Sequence, residues 1–173
     1  MSALVEQMFY VREVPWHGMG RKVLEAPTSK DAIVAAGLDW EVSQCEMTLA
    51  GTNIVVPDAY ANVRSSDNAV LGVVGNRYTI VQNADAFSFT DSLIGEGCVY
   101  ETAGSLRGGK QIWLLARLPE NIQIAGDDVV PYLCFTNTHD GSGAVKVCAT
   151  PIRVVCNNTL NLALKTAKRT WSA

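Results

Sequence analysis

At 173 residues, with 48% hydrophobic and 18% charged side chains, the chain can bury one core of ordinary size and lacks the composition of a disordered tail. A formal charge of −3 excludes a generally polycationic surface, so nucleic-acid binding would need the 14 Lys and Arg residues gathered on one face. Five Cys at 45, 98, 134, 148 and 156 are odd in number and hold no CxxC pair, which points to reduced, mostly buried thiols.

Residues 1–10 show no basic region leading into an apolar stretch, and no later run approaches membrane-spanning length. A cytoplasmic protein without a membrane partner is expected. Within 1–25, Pro15, Gly18 and Gly20 surround Trp16 and His17 and preclude a regular helix. That stretch is expected to be an extended N-terminal arm with Trp16 as a core plug, and 26–173 a single domain.

Thr28 followed by Asp31 resembles a capping box and predicts a short helix through Ala36 that Gly37 ends. Residues 40–49 alternate as a half-exposed strand. Further strands are predicted over 53–56, 60–64 and 70–81, with turns at Pro57-Asp58 and 65–68, and a meander is the simplest connection between them. Asn83 is then placed to cap a helix carrying Ala86, Phe87, Phe89, Leu93 and Ile94.

The pattern recurs, with strands near 98–103, 111–118 and 129–136, a return strand over 144–155 and a helix from about Asn158. The predicted class is α+β: an antiparallel β-meander with short helices, arranged as two β-meander-plus-helix units sharing one sheet. Leu114, Leu133, Phe135, Val145, Val147 and Leu160 are predicted core, and 105–110 a hairpin turn exposed at its tip.

Candidate chemistry is sparse. Gly104, Gly109 and Lys110 have the spacing of a phosphate-binding loop, but Gln111 stands where a hydroxyl would hold magnesium, and a basic hairpin tip explains the same residues. Cys134, His139, Cys148 and Cys156 lack the paired spacing of a zinc site. Asn137 and Asp140 read as turn-holding side chains, with Gly141 and Gly143 supplying the unusual backbone angles. No catalytic residue, metal or cofactor is assigned, and an enzyme is disfavoured.

The motifs PWHGMG (15–20), GVVGNRYTIVQN (72–83), ETAGSLRGGKQIW (101–113), NTHDGSGA (137–144) and TPIRVVCNNTLNLAL (150–164) together resemble the uncharacterised phage/plasmid-like protein family of mobile elements. That resemblance implies a bacterial host cell, and members usually run past the last helix, so a short or truncated form is expected. The element order is also similar to single-strand annealing proteins of the RecT/Redβ type, an analogy of fold alone.

Two functions follow as expectations. One is binding of single-stranded DNA in an annealing or recombination setting, with backbone contacts from Arg64, Arg77, Arg107, Lys110, Lys146 and Arg153. Stacking would come from Tyr78, Tyr100 or Trp113 where these face outward. The other is a protein-interaction or structural module, a host-defence inhibitor or self-assembling component, whose partner is a host protein or a second copy.

Overall fold

The apolar run Ile112-Trp113-Leu114-Leu115-Ala116 is fully buried along its whole length, which requires cover on both faces of its strand. A computed structural model describes residues 4–15, 17–24, 28–94, 99–119, 121–124, 126–167 and 170–172. In chain order the elements are β1 (Val5–Val11), β2 (Arg21–Val23), α1 (Ser29–Ala35), β3 (Val42–Thr48), β4 (Val55–Arg64), β5 (Val70–Val74) and α2 (Asn83–Ile94). There follow β6 (Val99–Leu106), β7 (Gln111–Arg117), β8 (Ile122–Ile124), β9 (Asp127–Val129), β10 (Tyr132–Thr138), β11 (Lys146–Thr150), α3 (Asn157–Thr166) and β12 (Thr170–Ser172).

Seven strands form the large sheet in the order β12-β11-β10-β7-β6-β1-β2, antiparallel except for the β1/β2 pair. On one face Ile112, Leu114 and Ala116 pack with Phe9, Ala103 and Phe135 against Ala32 of α1 and Phe87 of α2. On the other, Trp113 and Leu115 pack with Met8, Tyr10, Cys134 and Cys148 against Leu160 and Ala163 of α3. Slipping β7 by one residue would exchange the two sets, so the register is held by both cores at once. The α+β class and the antiparallel hairpins match the sequence reading, and of the predicted core Leu114, Phe135, Val147 and Leu160 are buried while Leu133 and Val145 are partly so.

Three expectations need correction. Residues 5–11 are an interior strand rather than an arm, because four consecutive buried residues, Met8 to Val11, fill both faces of a strand lying between β6 and β2. Gly104 permits that insertion: a Cβ there would stand 2.3 Å from the carbonyl oxygen of Gln7 and 2.6 Å from the Trp113 ring. Trp16 lies outside the described residues.

Next, the two meander units do not share a sheet. β3, β4 and β5 form their own three-stranded antiparallel sheet, whose middle strand points Asn62 and Arg64 inward. The small sheet therefore docks through the hydrogen bonds of these polar side chains as well as through Val42 and Leu71, which join the core on that face. The turn expected at Pro57-Asp58 is a bulge inside β4, where Asp58 takes φ +54° and the pairing with β3 shifts register.

Finally, Asn83 opens α2 but does not cap it. Its Nδ2 donates to the carbonyls of Leu38 (3.0 Å) and Trp40 (3.3 Å), which ties α2 to the segment after α1. The start and end of α1 follow the sequence: Thr28 Oγ1 accepts from Asp31 N, and Gly37 at φ +64° closes the helix with bonds from Gly37 N to Val34 O and Leu38 N to Ile33 O. Among the described residues no helix is long and apolar enough to cross a membrane.

Candidate nucleic-acid interface

The β10–β11 connection, residues 139–145, is held from several sides. Tyr78 Oη donates to the carbonyl of Thr138 (2.9 Å), Asn62 Nδ2 to that of His139 (2.7 Å), and His139 N to that of Lys110 (2.8 Å). Inside the loop Thr138 Oγ1 donates to Gly143 O (2.6 Å) and accepts from Gly143 N (3.0 Å), while Ser142 N donates to Asp140 Oδ1 (2.9 Å). Asp140 thus holds the turn as read from the sequence, and Gly141 supplies the positive φ, +73°. Asn137 instead reaches Val81 O (3.1 Å), and Gly143 is fixed by the Thr138 hydroxyl. Gly72 of β5 lets the small sheet close on this turn, since a Cβ there would lie 2.5 Å from Asp140 Cα.

Beneath the turn, His139 is fully buried and stacks edge-on against Trp40, ring centroids 5.3 Å apart. Its Nε2 lies 3.0 Å from Asn83 Oδ1. Because Asn83 Nδ2 already donates to two carbonyls, Nε2 is the proton-bearing nitrogen and Nδ1 an acceptor. Burial pushes the imidazole pKa down to about 4 against the pull of Asp140, so the ring is neutral at physiological pH. Asp140 itself is lowered: burial raises it, but bonds from Ser142 and the Arg107 charge outweigh that effect.

Two depressions of about 350 Å³ each flank the loop and share Gly143 and Ala144 as a wall. The first is a polar groove between the large sheet and α3, which contributes Asn157, Asn161 and Leu164 to its wall. Its floor is Gln111, Thr136 and Thr138, and Arg107, Lys146 and Asn157 stand round it. The second is a slot on the opposite side of the loop, between Tyr78 and Val81 on one hand and Ala144 and Val145 on the other, with Arg77 at its rim.

The seven residues predicted for nucleic-acid contact therefore divide. Arg77, Tyr78, Arg107 and Lys146 line the two depressions, and Lys110 is exposed on the neighbouring β6–β7 tip. Arg77, Lys110 and Lys146 form no ion pair with a described residue; Arg107 bonds Gln111 Oε1 (3.1 Å) and lies 3.9 Å from Asp140.

Arg64 and Arg153 do not belong to this face. Arg64 is buried over the Trp40 ring and donates to Asp67 (2.7 and 2.9 Å) and Glu6 (3.1 Å). The Asp67 bond, working against burial, holds its guanidinium pKa above the ordinary value. Arg153 donates to Glu101 (3.0 Å) and to the carbonyls of Val11 and Glu13, so it fastens the segment before α3 to the end of β1. Their charges are spent inside the molecule, through Asp67 close by in the sequence and through the distant Glu6 and Glu101. Tyr100 and Trp113 are buried as well and offer no stacking surface.

The stretch with phosphate-loop spacing runs from strand through turn to strand, with β7 where such a loop needs a helix. Ser105 and Leu106 are buried, so the exposed tip is narrower than 105–110. Of the weighed zinc set, Cys134 and Cys148 face each other across β10 and β11 while His139 is engaged with Asn83, and no cluster of three His, Cys, Asp or Glu among the described residues could hold a metal.

Residues 70–173 match the model of a domain of unknown function, DUF932. The chain belongs to that family. No curated protein and no solved structure matches it. The DUF932 match opens at β5 and takes in both depressions with Arg77, Tyr78, Arg107, Lys110 and Lys146, whereas β1 to β4, with Arg64, precede it. Residues that the sequence reading passed over also lie within the DUF932 span: Thr136, Thr138, Asn157 and Asn161. Their signal was present as polar residues two apart at the end of an apolar strand, and four apart on one helix face.

Proposed function

We propose that the protein binds single-stranded nucleic acid through the face around loop 139–145, as a mobile-element protein of the phage/plasmid type acting in annealing or recombination within a bacterial cell. The observation that carries this reading is the shared groove: Arg107 and Lys146, 39 residues apart in the chain, line one polar groove together with Gln111, Thr136 and Thr138 of the sheet and Asn157 and Asn161 of α3. Arg77 and Tyr78 continue the face across the Gly143–Ala144 wall. Arg77 and Lys146, which form no ion pair with a described residue, and the exposed Arg107, whose approach to Asp140 is a long 3.9 Å, suit phosphate contacts made without reading sequence, and an aromatic beside them accepts bases of any kind.

Fluorescence anisotropy with a labelled single-stranded oligonucleotide at two salt concentrations tests it. Binding should weaken as salt rises, and Arg107→Ala with Lys146→Ala should flatten the log-log salt slope by roughly one to two units. No binding of wild-type protein at low salt would remove the reading.

A second reading rests on the small sheet. β3 and β5 are both edge strands, and Val70 and Val73 of β5 are more than half exposed, Val73 in register with Ala61 and Ala61 with Cys45. Open edges beside apolar side chains suit strand addition by a host protein or a second copy. Such an association would persist at high salt, where the nucleic-acid complex would not.

A further inference from the structure

We infer that loop 139–145 is a one-nucleotide clamp: the slot between Tyr78 and the Ala144–Val145 corner takes a single unpaired base, and the groove across the Gly143–Ala144 wall takes a phosphate of the same strand. This rests on the single-strand reading above and specifies the chemical unit recognised.

The two depressions differ in character as the two halves of a nucleotide do. The slot presents Tyr78, Val81, Ala144 and Val145 with Arg77, Thr79 and Asn137 among them, and is the more apolar of the two, while the groove presents Arg107, Lys146 and hydroxyl and amide groups beside Ala144 and Leu164. A flat apolar ring joined to an anion is the ligand class that would fill both at once. Each volume, about 350 Å³, lies at the low end of the roughly 300–1,000 Å³ typical of small-molecule sites, so the slot suits one base rather than a stacked run.

The walls are set before any ligand arrives. Tyr78 is fixed by its bond to Thr138 O, Val81 by the bond from Asn137, and the shared wall by the paired bonds between Thr138 Oγ1 and Gly143. Preorganised walls avoid the ordering cost that a flexible loop would incur on binding. A base in a slot must leave its stack and its partner, so the clamp selects single strands over duplex.

The test compares a labelled oligonucleotide with an abasic strand of the same length and charge, each titrated into the full chain. Base stacking on a protein aromatic changes affinity roughly five- to a hundredfold per base, so the intact strand should bind about tenfold more tightly or better. Ala144→Trp, at an exposed position on the wall shared by both depressions, should fill the slot, and affinity for the intact strand should fall by more than affinity for the abasic strand. Equal affinity of wild-type protein for intact and abasic strands overturns the clamp but leaves the electrostatic face standing, and needs no variant to observe. Preference of wild-type protein for the intact strand that survives undiminished in a folded Ala144→Trp protein also overturns the clamp. Absence of binding by either strand overturns the interface and the clamp together.

Discussion

Asn62 donates from Nδ2 to the carbonyl of His139 at 2.7 Å, joining the middle strand of the small sheet to the turn between β10 and β11. Both groups are fully buried, so no water competes for the carbonyl. Asn62→Ala should cost about 1–3 kcal/mol, the usual penalty of leaving a buried acceptor unmet. Urea unfolding would measure it; a stability within a few tenths of wild type would show that the sheets do not depend on this bond.

His139 makes folding sensitive to acid. Its folded pKa of about 4 lies below the ordinary value of 6.5, so the unfolded chain binds a proton that the folded chain refuses. The stabilisation is complete above about pH 6.5 and is lost as pH falls towards 4, a total of roughly 3 kcal/mol. Asp67, held down at about 2 chiefly by its bond to Arg64, titrates below this window. Urea titrations at pH 7, 5.5 and 4 should show the slope in wild type and a flatter one in His139→Gln; parallel slopes would refute the assignment.

Gly72→Ala places a Cβ 2.5 Å from Asp140 Cα and 2.8 Å from its Cβ, atoms that cannot swing aside as a side-chain tip could. Overpacking of this kind costs about 1–3 kcal/mol. Amide resonances of 138–144 should shift more than those of α3, and unchanged loop resonances would mean that β5 moves instead.

Arg64→Met and the pair Arg107→Ala with Lys110→Ala remove like charges with opposite consequences. Arg64 neutralises Glu6 and Asp67 while lying over the Trp40 ring, and its loss should cost about 1–3 kcal/mol after allowance for the partial exposure of both carboxylates. The exposed pair should change stability by less than about 0.5 kcal/mol. Thermal melts decide between them, and equal shifts would contradict the division of the basic residues drawn above.

Local signals carried much of this fold. The run from Ile112 to Ala116 after Gly108-Gly109 marks a buried strand leaving a tight turn, and Thr28 with Asp31 marks a helix start, because the physics involved spans a few residues. Sheet membership was less legible. Nothing near β1 states that it will pair with β6; Arg64 has one partner within reach in the sequence, Asp67 three positions on, but its second, Glu6, lies 58 positions away. The proposed interface was half visible for the same reason: its cations could be enumerated from sequence, but which of them remain unspent depends on contacts across the whole chain.

The place of β1 bears on how the chain is made. Phe9 lies in register with Ala103, so a strand synthesised early waits for a partner synthesised much later. At ribosomal rates of about 5–20 residues per second, that interval is roughly 5–20 s. Throughout it, the edge of β1 that β6 covers has no partner and only the short β2 is available on the other edge, which makes Met8 to Val11 a natural target for holding chaperones and for pairing with another nascent chain. Vectorial synthesis thus leaves β1 waiting for β6, and refolding from denaturant, where β6 is available at once, escapes that delay.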